Sequence, residues 1–398
     1  MISVDEAIAR VTALLKPVGS ETVSIDQAFG RVLAEDAKAR VMQPPSPVSA
    51  MDGYAVRSTD VASPPTTLLV VGTSPAGHPY GKPLAQGEAV RIFTGGVVPE
   101  GADGIVIQED AAADGDSVTL NVAAKLGKHI RAPGLDFKVD DILAHAGRRL
   151  TARDVSLLAA GDLAQVSVRR RPRIALAATG DELSRPGEPR GAGGIVASSG
   201  YALRPMIEAW GGGVIDLGIL PDSVDAIAAI SENAADADLI VTLGGASVGD
   251  HDLIQQALGP KGFALDFWKI AMRPGKPLIF GHLKETPLLG LPGNPVSTFV
   301  CAVLFVRTAI ATLLGTETAT PLVSAKLTHS LPENDKRQDY MRAQLILRGG
   351  EYWADVYPLQ DSSMLGTLAA ANALVVRAPD APALEGGEYV DVVPLDGL

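Results

Sequence analysis

The start of the chain has the spacing of an amphipathic helix. Its apolar positions recur every three or four residues: Val4, Ile8, Val11 and Leu15. Ser3, followed three positions later by Glu6, is the signature of a capping box, so the pattern predicts a helix from Ser3 to about Lys16. A second short helix is predicted at 26–30, and the proline-rich segment 43–47 ends regular structure.

Short alternating runs of apolar and polar residues follow, from Tyr54 to about Ile130. A period of two, interrupted by Gly and Pro turns, is typical of β-strands. The predicted strands are 68–71, 89–93, 104–108 and 118–121. The pattern therefore predicts a small β domain, followed by a helix at 151–161 that is capped by Thr151 and by a strand at 165–168.

After the basic segment 169–172, apolar strands alternate with helices. The predicted strands are 173–178, 214–219, 238–243, 263–268, 278–280 and 287–291, and the predicted helices are 200–210, 223–235 and about 296–314. Such alternation predicts a doubly wound α/β domain, whose ligands bind beyond the carboxyl ends of the strands. The tail, about 321–398, alternates again and is predicted to be β-rich, with a helix near 363–371. The fold class is multidomain, α/β plus β.

Composition and charge exclude several classes of protein. The 398 residues are 46% hydrophobic and 20% charged, which is typical of globular chains. A net charge of −12 opposes attraction to a nucleic-acid backbone. Cys301 is the only cysteine, and its apolar neighbours indicate packing. The chain start does not have the pattern of a signal peptide, and the apolar stretch at 299–306 is too short for a membrane helix. We expect a cytoplasmic protein with no nucleic-acid or membrane partner.

Three loops of the first half carry side chains suited to chemistry. Asp52 lies in Ser-Ala-Met-Asp-Gly-Tyr-Ala, where an Asp-Gly turn can aim its carboxylate outward. Thr94 ends a predicted strand that runs into a glycine loop, and its hydroxyl can donate to an anion. Arg131 and Asp136 flank a Pro-Gly turn, where they could bind a phosphate or form an ordinary ion pair. Turn chemistry alone explains each segment equally well.

Two loops of the α/β domain follow predicted strands directly. In Thr-Gly-Asp-Glu-Leu, Asp181 and Glu182 would lie at the ligand-binding edge of the sheet, although an N-cap also explains the aspartate. In Gly-Gly-Ala-Ser-Val-Gly-Asp-His-Asp, backbone N–H groups could hold an anion, while Asp250 or Asp252 could hold a cation.

A basic loop and a stiff loop complete the set. Lys269, Arg273 and Lys276 concentrate positive charge in an acidic chain, which suits an anionic ligand or a solvated loop. Pro292 and Pro295 stiffen a strand end, which either preorganises a site or caps the next helix. Zinc spacings, a nucleophile elbow and a phosphate-binding P-loop are not found in the sequence, which excludes those enzyme classes.

Four of these segments, in this order, resemble the MoeA family of molybdopterin molybdenumtransferases, whose eukaryotic counterpart is the C-terminal part of gephyrin. The segments are Ser-Ala-Met-Asp-Gly-Tyr-Ala, Thr-Gly-Gly-x-x-Pro-x-Gly-Ala-Asp, Gly-Gly-x-Ser-x-Gly-x-x-Asp and Gly-Leu-Pro-Gly-Asn-Pro-x-Ser. The resemblance implies four domains that agree with the changes of pattern. They are a helical/linker domain (1–45 with 135–170), an inserted β domain (46–134), a molybdopterin-binding α/β domain (171–320) and a C-terminal β domain (321–398).

The resemblance also implies an activity. Adenylyl-molybdopterin and molybdate would be the substrates, Mg²⁺ the cofactor, and molybdenum cofactor and AMP the products. The site would lie in an elongated homodimer, between the α/β domain of one subunit and the inserted β domain of the other. A molybdopterin adenylyltransferase is an expected docking partner.

The resemblance assigns roles to particular residues. Catalytic roles fall on Asp52, Thr94, Asp136, Glu182, Asp222 and Asp252, of which Glu182, Asp222 and Asp252 would hold Mg²⁺ or its waters. Substrate binding falls on Arg131, Ser198, Gly245, Ser247, Lys269, Arg273, Lys276, Pro292, Pro295 and Ser362. Two positions depart from the family pattern: Ser199 replaces the usual Asn after Ser198, and Asp361 replaces the usual Gly before Ser362.

Two other functions stay open at this point. The same type of α/β domain occurs in molybdopterin adenylyltransferases and in competence-damage hydrolases, although the segment around Asp52 and the inserted β domain argue against both. A scaffold role, like the receptor clustering of gephyrin, is the alternative from another class.

Overall fold

The structure is a computed structural model that describes residues 1–244 and 250–395, without the side chains of residues 250–252. A six-stranded sheet forms the centre of the α/β domain. In spatial order its strands are Gly213–Leu220, Arg173–Thr179, Leu239–Leu243, Thr286–Leu291, Ile279–Leu283 and Phe263–Trp268. The first four are parallel to one another, and Ile279–Leu283 pairs antiparallel with both of its neighbours. Every residue of Leu239–Leu243 is buried, as expected for a parallel strand covered on both faces. The predicted doubly wound fold is confirmed.

Helices cover both faces of this sheet. On one face lie Val4–Leu14, Ser199–Ala209 and a continuous helical run made of Pro295–Cys301, the π-helix Ala302–Val306 and Arg307–Leu314. On the other face lie Val224–Ala228, Ile230–Asn233 and Asp250–Leu258. The run Pro295–Leu314 is long and apolar enough to pass a test for membrane spans, with a mean hydropathy of 1.9, but 83% of that window is buried. It is therefore a core helix of the α/β domain.

The helical/linker region is built from two stretches that flank the inserted domain. Its elements are Ser20–Ser24, the 3-10 helix Ile25–Gln27, Ala37–Lys38, Ile142–Ala144, the helix Ala152–Ala160 and Gln165–Arg169. The stretches join through two antiparallel strand pairs. They also meet where the chain leaves this region for the inserted domain and returns from it, because the Gln43 N–H donates to the Phe137 carbonyl at 2.9 Å. Both ends of the inserted domain are thus held together.

The inserted domain contains a six-stranded sheet. Its strands in spatial order are Gly104–Ile107, Gly53–Val56, Glu88–Ile92, Thr66–Ser74, Ser117–Leu120 and Ala111–Asp114, beside the short pair Val48–Ser49 and Ile130–Arg131. Four of these strands agree with the sequence prediction. Gly53–Val56 is not among the predicted strands, yet it is an interior strand and all four of its residues are buried. Burial on both faces removes the alternation by which strands are recognised.

The C-terminal domain is also a six-stranded sheet. Its strands are Met272–Arg273, Gln338–Arg348, Glu351–Val356, Val323–Leu327, Tyr389–Pro394 and Ala373–Arg377, and the helix Leu365–Ala370 packs beside it. Met272–Arg273 precedes this domain in sequence, yet it pairs in parallel with Gln338–Asp339 of the long strand. The basic loop of the α/β domain is therefore attached to the C-terminal sheet.

Candidate functional site

A cleft of about 670 Å³ opens at the carboxyl ends of the parallel strands. Most of the described residues that line it follow the strands Arg173–Thr179 and Thr286–Leu291 or lie at the end of Leu239–Leu243, and Ser363 and Leu365 of the C-terminal domain close one side. This is the edge at which doubly wound sheets bind their ligands. Two domains of one chain therefore share the cleft.

Glycines allow the strand ends to meet at the floor. Gly244 has a φ of +90°, and a Cβ there would lie 2.8 Å from the Thr179 carbonyl oxygen. The neighbouring Gly180 also has a positive φ, of +151°. The Thr179 hydroxyl, which belongs to the lining of the cleft, is buried without a hydrogen-bond partner among the described residues. Since a buried hydroxyl without a partner is costly, the floor is suited to polar ligand atoms.

Two of the predicted carboxylates, Glu182 and Asp222, line this cleft. The nearby Asp181 has a different position, because its Oδ1 accepts a hydrogen bond from the Asp222 N–H at 3.1 Å. Asp181 thus fixes the backbone of the loop that carries Asp222. Among the described residues, no group of three or more Asp, Glu, His or Cys side chains could hold a metal ion. The cleft offers two carboxylates rather than a complete metal cage.

Three other predicted residues, Ser198, Pro292 and Pro295, also line the cleft. Ser362 does not: its Oγ accepts from Asn294 Nδ2 at 3.0 Å, while the next residue, Ser363, faces the cleft. Several lining residues were not predicted: Thr179, Ser199, Asn294, Ser297 and Ser363. The first four lie at or beside the quoted motifs, so proximity to a motif was the available signal. The predictions for Gly245 and Ser247 lie outside the described residues, and the side chain of Asp252 lies outside the described side chains.

The three basic residues of the loop 269–276 have different surroundings. Lys269 has a φ of +78°, and its Nζ lies 3.6 Å from the centre of the Trp268 ring. Lys276 is exposed and precedes Pro277, which lines the cleft. Arg273 instead contacts the C-terminal domain, where Nε donates to the Asp339 carboxylate at 2.9 Å and a second bond joins the same pair. The buried Asp339 raises the pKa of Arg273. An oxyanion at Arg273 would have to share a guanidinium that is already paired.

A buried arginine that was not predicted supports the cleft from the C-terminal domain. Arg342 is 1% exposed, and its Nε donates to Gln360 at 3.2 Å. Its Nη groups donate to the carbonyls of Leu359 and Met364, both at 3.3 Å. These bonds hold the loop that carries Ser363 against the long strand Gln338–Arg348.

Asp52 and Thr94 form a separate cluster in the inserted domain. The Thr94 N–H and hydroxyl donate to one oxygen of Asp52, at 2.7 and 2.9 Å. These bonds, with a smaller contribution from Arg91, lower the pKa of Asp52. The Arg91 guanidinium lies between the rings of Tyr54 and Phe93, 5.1 and 4.9 Å from their centres. Neither Asp52 nor Thr94 lines the cleft of its own chain.

Arg131 and Asp136 lie on either side of the point where the chain leaves the inserted domain. Arg131 belongs to the short strand that pairs with Val48–Ser49, and the Asp136 N–H donates to the Gln43 carbonyl at 2.9 Å. Neither residue lines the cleft of the same chain.

Three family models match the chain in order. The MoeA N-terminal region (domain I and II) matches residues 2–161, a probable molybdopterin binding domain matches 175–312, and the MoeA C-terminal region (domain IV) matches 324–395. The matches leave only short segments uncovered between them.

Individual proteins agree with these models. The chain is 34% identical over 404 residues to a molybdopterin molybdenumtransferase of Haemophilus influenzae, with 100% of both chains covered. It is 36% identical to one of Nostoc sp. over 387 residues, which cover 94% of this chain and 89% of that protein. A crystal structure of the molybdopterin biosynthesis moeA protein of Pyrococcus horikoshii matches with a TM-score of 0.87 at 27% identity, covering 99% of this chain and 100% of that one.

Proposed function

Because the chain belongs to the MoeA family, the molybdopterin molybdenumtransferases of molybdenum cofactor biosynthesis, we propose that its cleft is where molybdate is inserted into adenylyl-molybdopterin. The observation that carries the proposal is the position of Glu182 and Asp222 at the carboxyl ends of a doubly wound sheet. The products would be molybdenum cofactor and AMP.

The residues of the cleft suit two anionic substrates. Lys269 and Lys276 belong to the loop that precedes Pro277, and they would bind the oxygens of molybdate or of the phosphoanhydride. The hydroxyls of Thr179, Ser297 and Ser363 line the same space and can donate to those oxygens. The chain would therefore orient both substrates with side chains from four segments and two domains.

Mg²⁺ fits the carboxylates of the cleft. This ion is usually held by one or two carboxylates together with substrate phosphates and waters, so Glu182 and Asp222 are a sufficient protein contribution. When bound, Mg²⁺ would neutralise negative charge on the anhydride oxygens. Asp252 stays a predicted third ligand.

A second copy of the chain would complete the site. Asp52 and Thr94 are a preorganised pair that does not line the cleft of the same chain. We propose a homodimer in which the inserted domain of one subunit brings this pair to the cleft of the other, where the pair would position molybdate or the dithiolene.

Subunit mixing tests the shared site. Inactive Asp52→Asn and Glu182→Gln chains are co-refolded in equal amounts. If each site uses both subunits, half of the dimers are mixed and each carries one intact site, so about a quarter of wild-type activity returns. Mixtures that stay as inactive as the separate variants would show that the site belongs to one chain.

The reaction itself is tested by AMP release. Purified protein receives adenylyl-molybdopterin and Mg²⁺, with and without molybdate, and with tungstate in parallel. Molybdate-stimulated AMP release with molybdenum on the pterin supports the transferase. Tight binding without turnover would indicate a scaffold or carrier instead.

The location and the protein partner are also proposals. We propose a cytoplasmic enzyme, which is supported by a buried free thiol at Cys301 and is tested by cell fractionation. We propose that a molybdopterin adenylyltransferase docks to deliver the adenylylated substrate. Gel filtration of the two proteins together tests this contact.

A further inference from the structure

A second cavity, of about 250 Å³, lies at the other end of the α/β domain. Trp210, one of its lining residues, lies three positions before the start of the strand Gly213–Leu220, so the cavity lies near the amino ends of the parallel strands. It shares no lining residue with the cleft. We call it the junction cavity, because its walls come from the helical/linker region (Arg149), the α/β domain (Trp210 and Arg307) and the segment 316–321 that leads to the C-terminal domain.

Two guanidinium groups face this cavity. Arg149 donates from Nη1 to the Gly30 carbonyl at 3.0 Å and from Nη2 to the Trp210 carbonyl at 2.7 Å. Arg307 is the first residue of the helix Arg307–Leu314, and its Nη2 is buried with no hydrogen-bond partner among the described residues. Among the described residues, neither guanidinium has a carboxylate oxygen within 4.0 Å, so neither charge has an ion-pair partner there.

Burial acts against both charges. It lowers the pKa of Arg307, and burial together with the nearby Arg171 lowers the pKa of Arg149. Both side chains are half-buried. A partly buried charge without a counter-charge is unfavourable, and arginine stays protonated rather than giving up its charge. An anion that enters the cavity would compensate this cost.

The cavity has the space and the donors for such an anion. Its volume is several times the ~30 Å³ that one water occupies in the liquid. The segment that closes it contributes Thr316 and Thr318, whose hydroxyls can donate, and the only carboxylate among the described lining residues is that of Glu317. Planar guanidinium groups match the oxygen spacing of tetrahedral oxyanions.

We propose that the junction cavity binds a small tetrahedral oxyanion of the phosphate or sulfate class between Arg149 and Arg307. The anion links the helical/linker region to the α/β domain and orders the segment 316–321 that leads into the C-terminal domain. It is separate from the substrates of the cleft, and the inference does not depend on the proposed reaction.

Fluorescence of Trp210 provides a local test. Trp268 and Trp353 are replaced by Phe, which leaves Trp210 as the only tryptophan, since the sequence has three. Inorganic phosphate is then titrated into the full-length chain against chloride at constant ionic strength, and sulfate is titrated in parallel. We expect saturable binding with one site per chain, weakened at least tenfold by Arg307→Gln. Arg153→Gln, an exposed arginine on Ala152–Ala160, is the matched control and leaves binding unchanged.

A stability measurement covers the case in which a variant folds poorly. In phosphate-free chloride buffer, Arg307→Met removes an uncompensated charge, so its melting temperature is expected to equal or exceed that of the wild type. Added phosphate then raises the melting temperature of the wild type in a saturable manner. The melting temperature of Arg307→Met shows no such saturable increase.

Three results would overturn the proposal. They are no saturable phosphate binding by the wild type, binding that Arg307→Gln leaves unchanged, and a Trp210 signal that follows chain concentration instead of phosphate. The last would mean that a carboxylate of a second copy, rather than a free oxyanion, occupies the junction cavity.

Discussion

At the scale of single residues, Asp52 shows how local bonds prepare a carboxylate. Both donors come from Thr94 and converge on one oxygen, Oδ1. An aspartate is already ionised at neutral pH, and the lowered pKa of Asp52 extends the ionised state to more acidic pH. A fixed, charged carboxylate is the state needed to position a substrate or its metal.

Asp52→Asn preserves the shape of this residue and removes its charge. Because the amide oxygen can still accept from Thr94, we expect an unchanged fold and a fall in molybdate-dependent AMP release on the order of 100-fold. Circular dichroism and the AMP assay measure the two effects. Asp114→Asn, on an edge strand of the same domain, is the control. Wild-type turnover by the Asp52→Asn variant would show that Asp52 is not part of the site.

Asp154 gives a pH-dependent prediction. Burial raises its pKa, but bonds from Arg148 and Thr151 outweigh burial and bring the pKa down to about 2. Because its pKa is lowered, ionised Asp154 stabilises the folded state at pH values above its ordinary pKa of 3.8. This contribution is lost as the pH falls towards 2. We expect Asp154→Asn to weaken the helix Ala152–Ala160 by about 2 kcal/mol at pH 7 and by progressively less below pH 4.

Hydrogen exchange of the amides in Ala152–Ala160 measures this difference locally. The matched variant is Asp162→Asn, a neighbouring acid just beyond the helix. A difference between wild type and Asp154→Asn that stays constant from pH 7 to pH 3 would contradict the linkage.

At this scale, sequence motifs predicted several of the residues that line the cleft. Glu182, Ser198 and Asp222 all line the cleft, because loops after parallel strands meet at one sheet edge. The partner of Arg273 was not predictable, since Asp339 lies 66 positions away in another domain. A side chain's direction depends on such distant contacts, which local patterns do not record.

At the scale of elements, periodicity predicted strands and helices where one face is exposed. The first helix begins at its predicted cap, with the Glu6 N–H donating to Ser3 Oγ at 3.1 Å. The predicted helix 223–235 is instead two short helices, Val224–Ala228 and Ile230–Asn233. The buried strand Gly53–Val56 was missed because it has no polar face.

Gly53→Ala tests how tightly that strand is packed. A Cβ at this position would lie 2.1 Å from the Val106 carbonyl oxygen, so the neighbouring strand would have to move. We expect a destabilisation of about 3 kcal/mol or more, seen as early thermal unfolding of the inserted domain. Gly81→Ala, where a Cβ has no neighbour within 4 Å, should be nearly neutral. Equal melting curves for the two variants would refute the packing argument.

At the scale of the whole molecule, the cleft depends on how the α/β and C-terminal domains are joined. The strand pair Met272–Arg273 with Gln338–Asp339 and the ion pair Arg273–Asp339 occur at the same point. This junction fixes the basic loop relative to the loop of Ser363. The sequence predicted both domains, but pairing across a domain boundary has no local signature.

A double-mutant cycle distinguishes a structural role of Arg273 from oxyanion binding. If Arg273 mainly joins the domains, Arg273→Met and Asp339→Asn each lower the free energy of unfolding by about 1–3 kcal/mol, and the double variant loses no more than either alone. Urea unfolding of the C-terminal domain is the measurement. Fully additive losses would show that the two residues act independently.

The contact between Gln43 and Phe137 has a consequence for the history and engineering of this chain. The two ends of the inserted domain are adjacent. We therefore expect that the domain can be deleted and replaced by a tight turn while the other domains keep their fold. A gene shortened in this way would encode a protein that keeps Glu182 and Asp222 but has no Asp52 or Thr94. In the proposed homodimer, such a truncated chain paired with an intact one would leave a single working site.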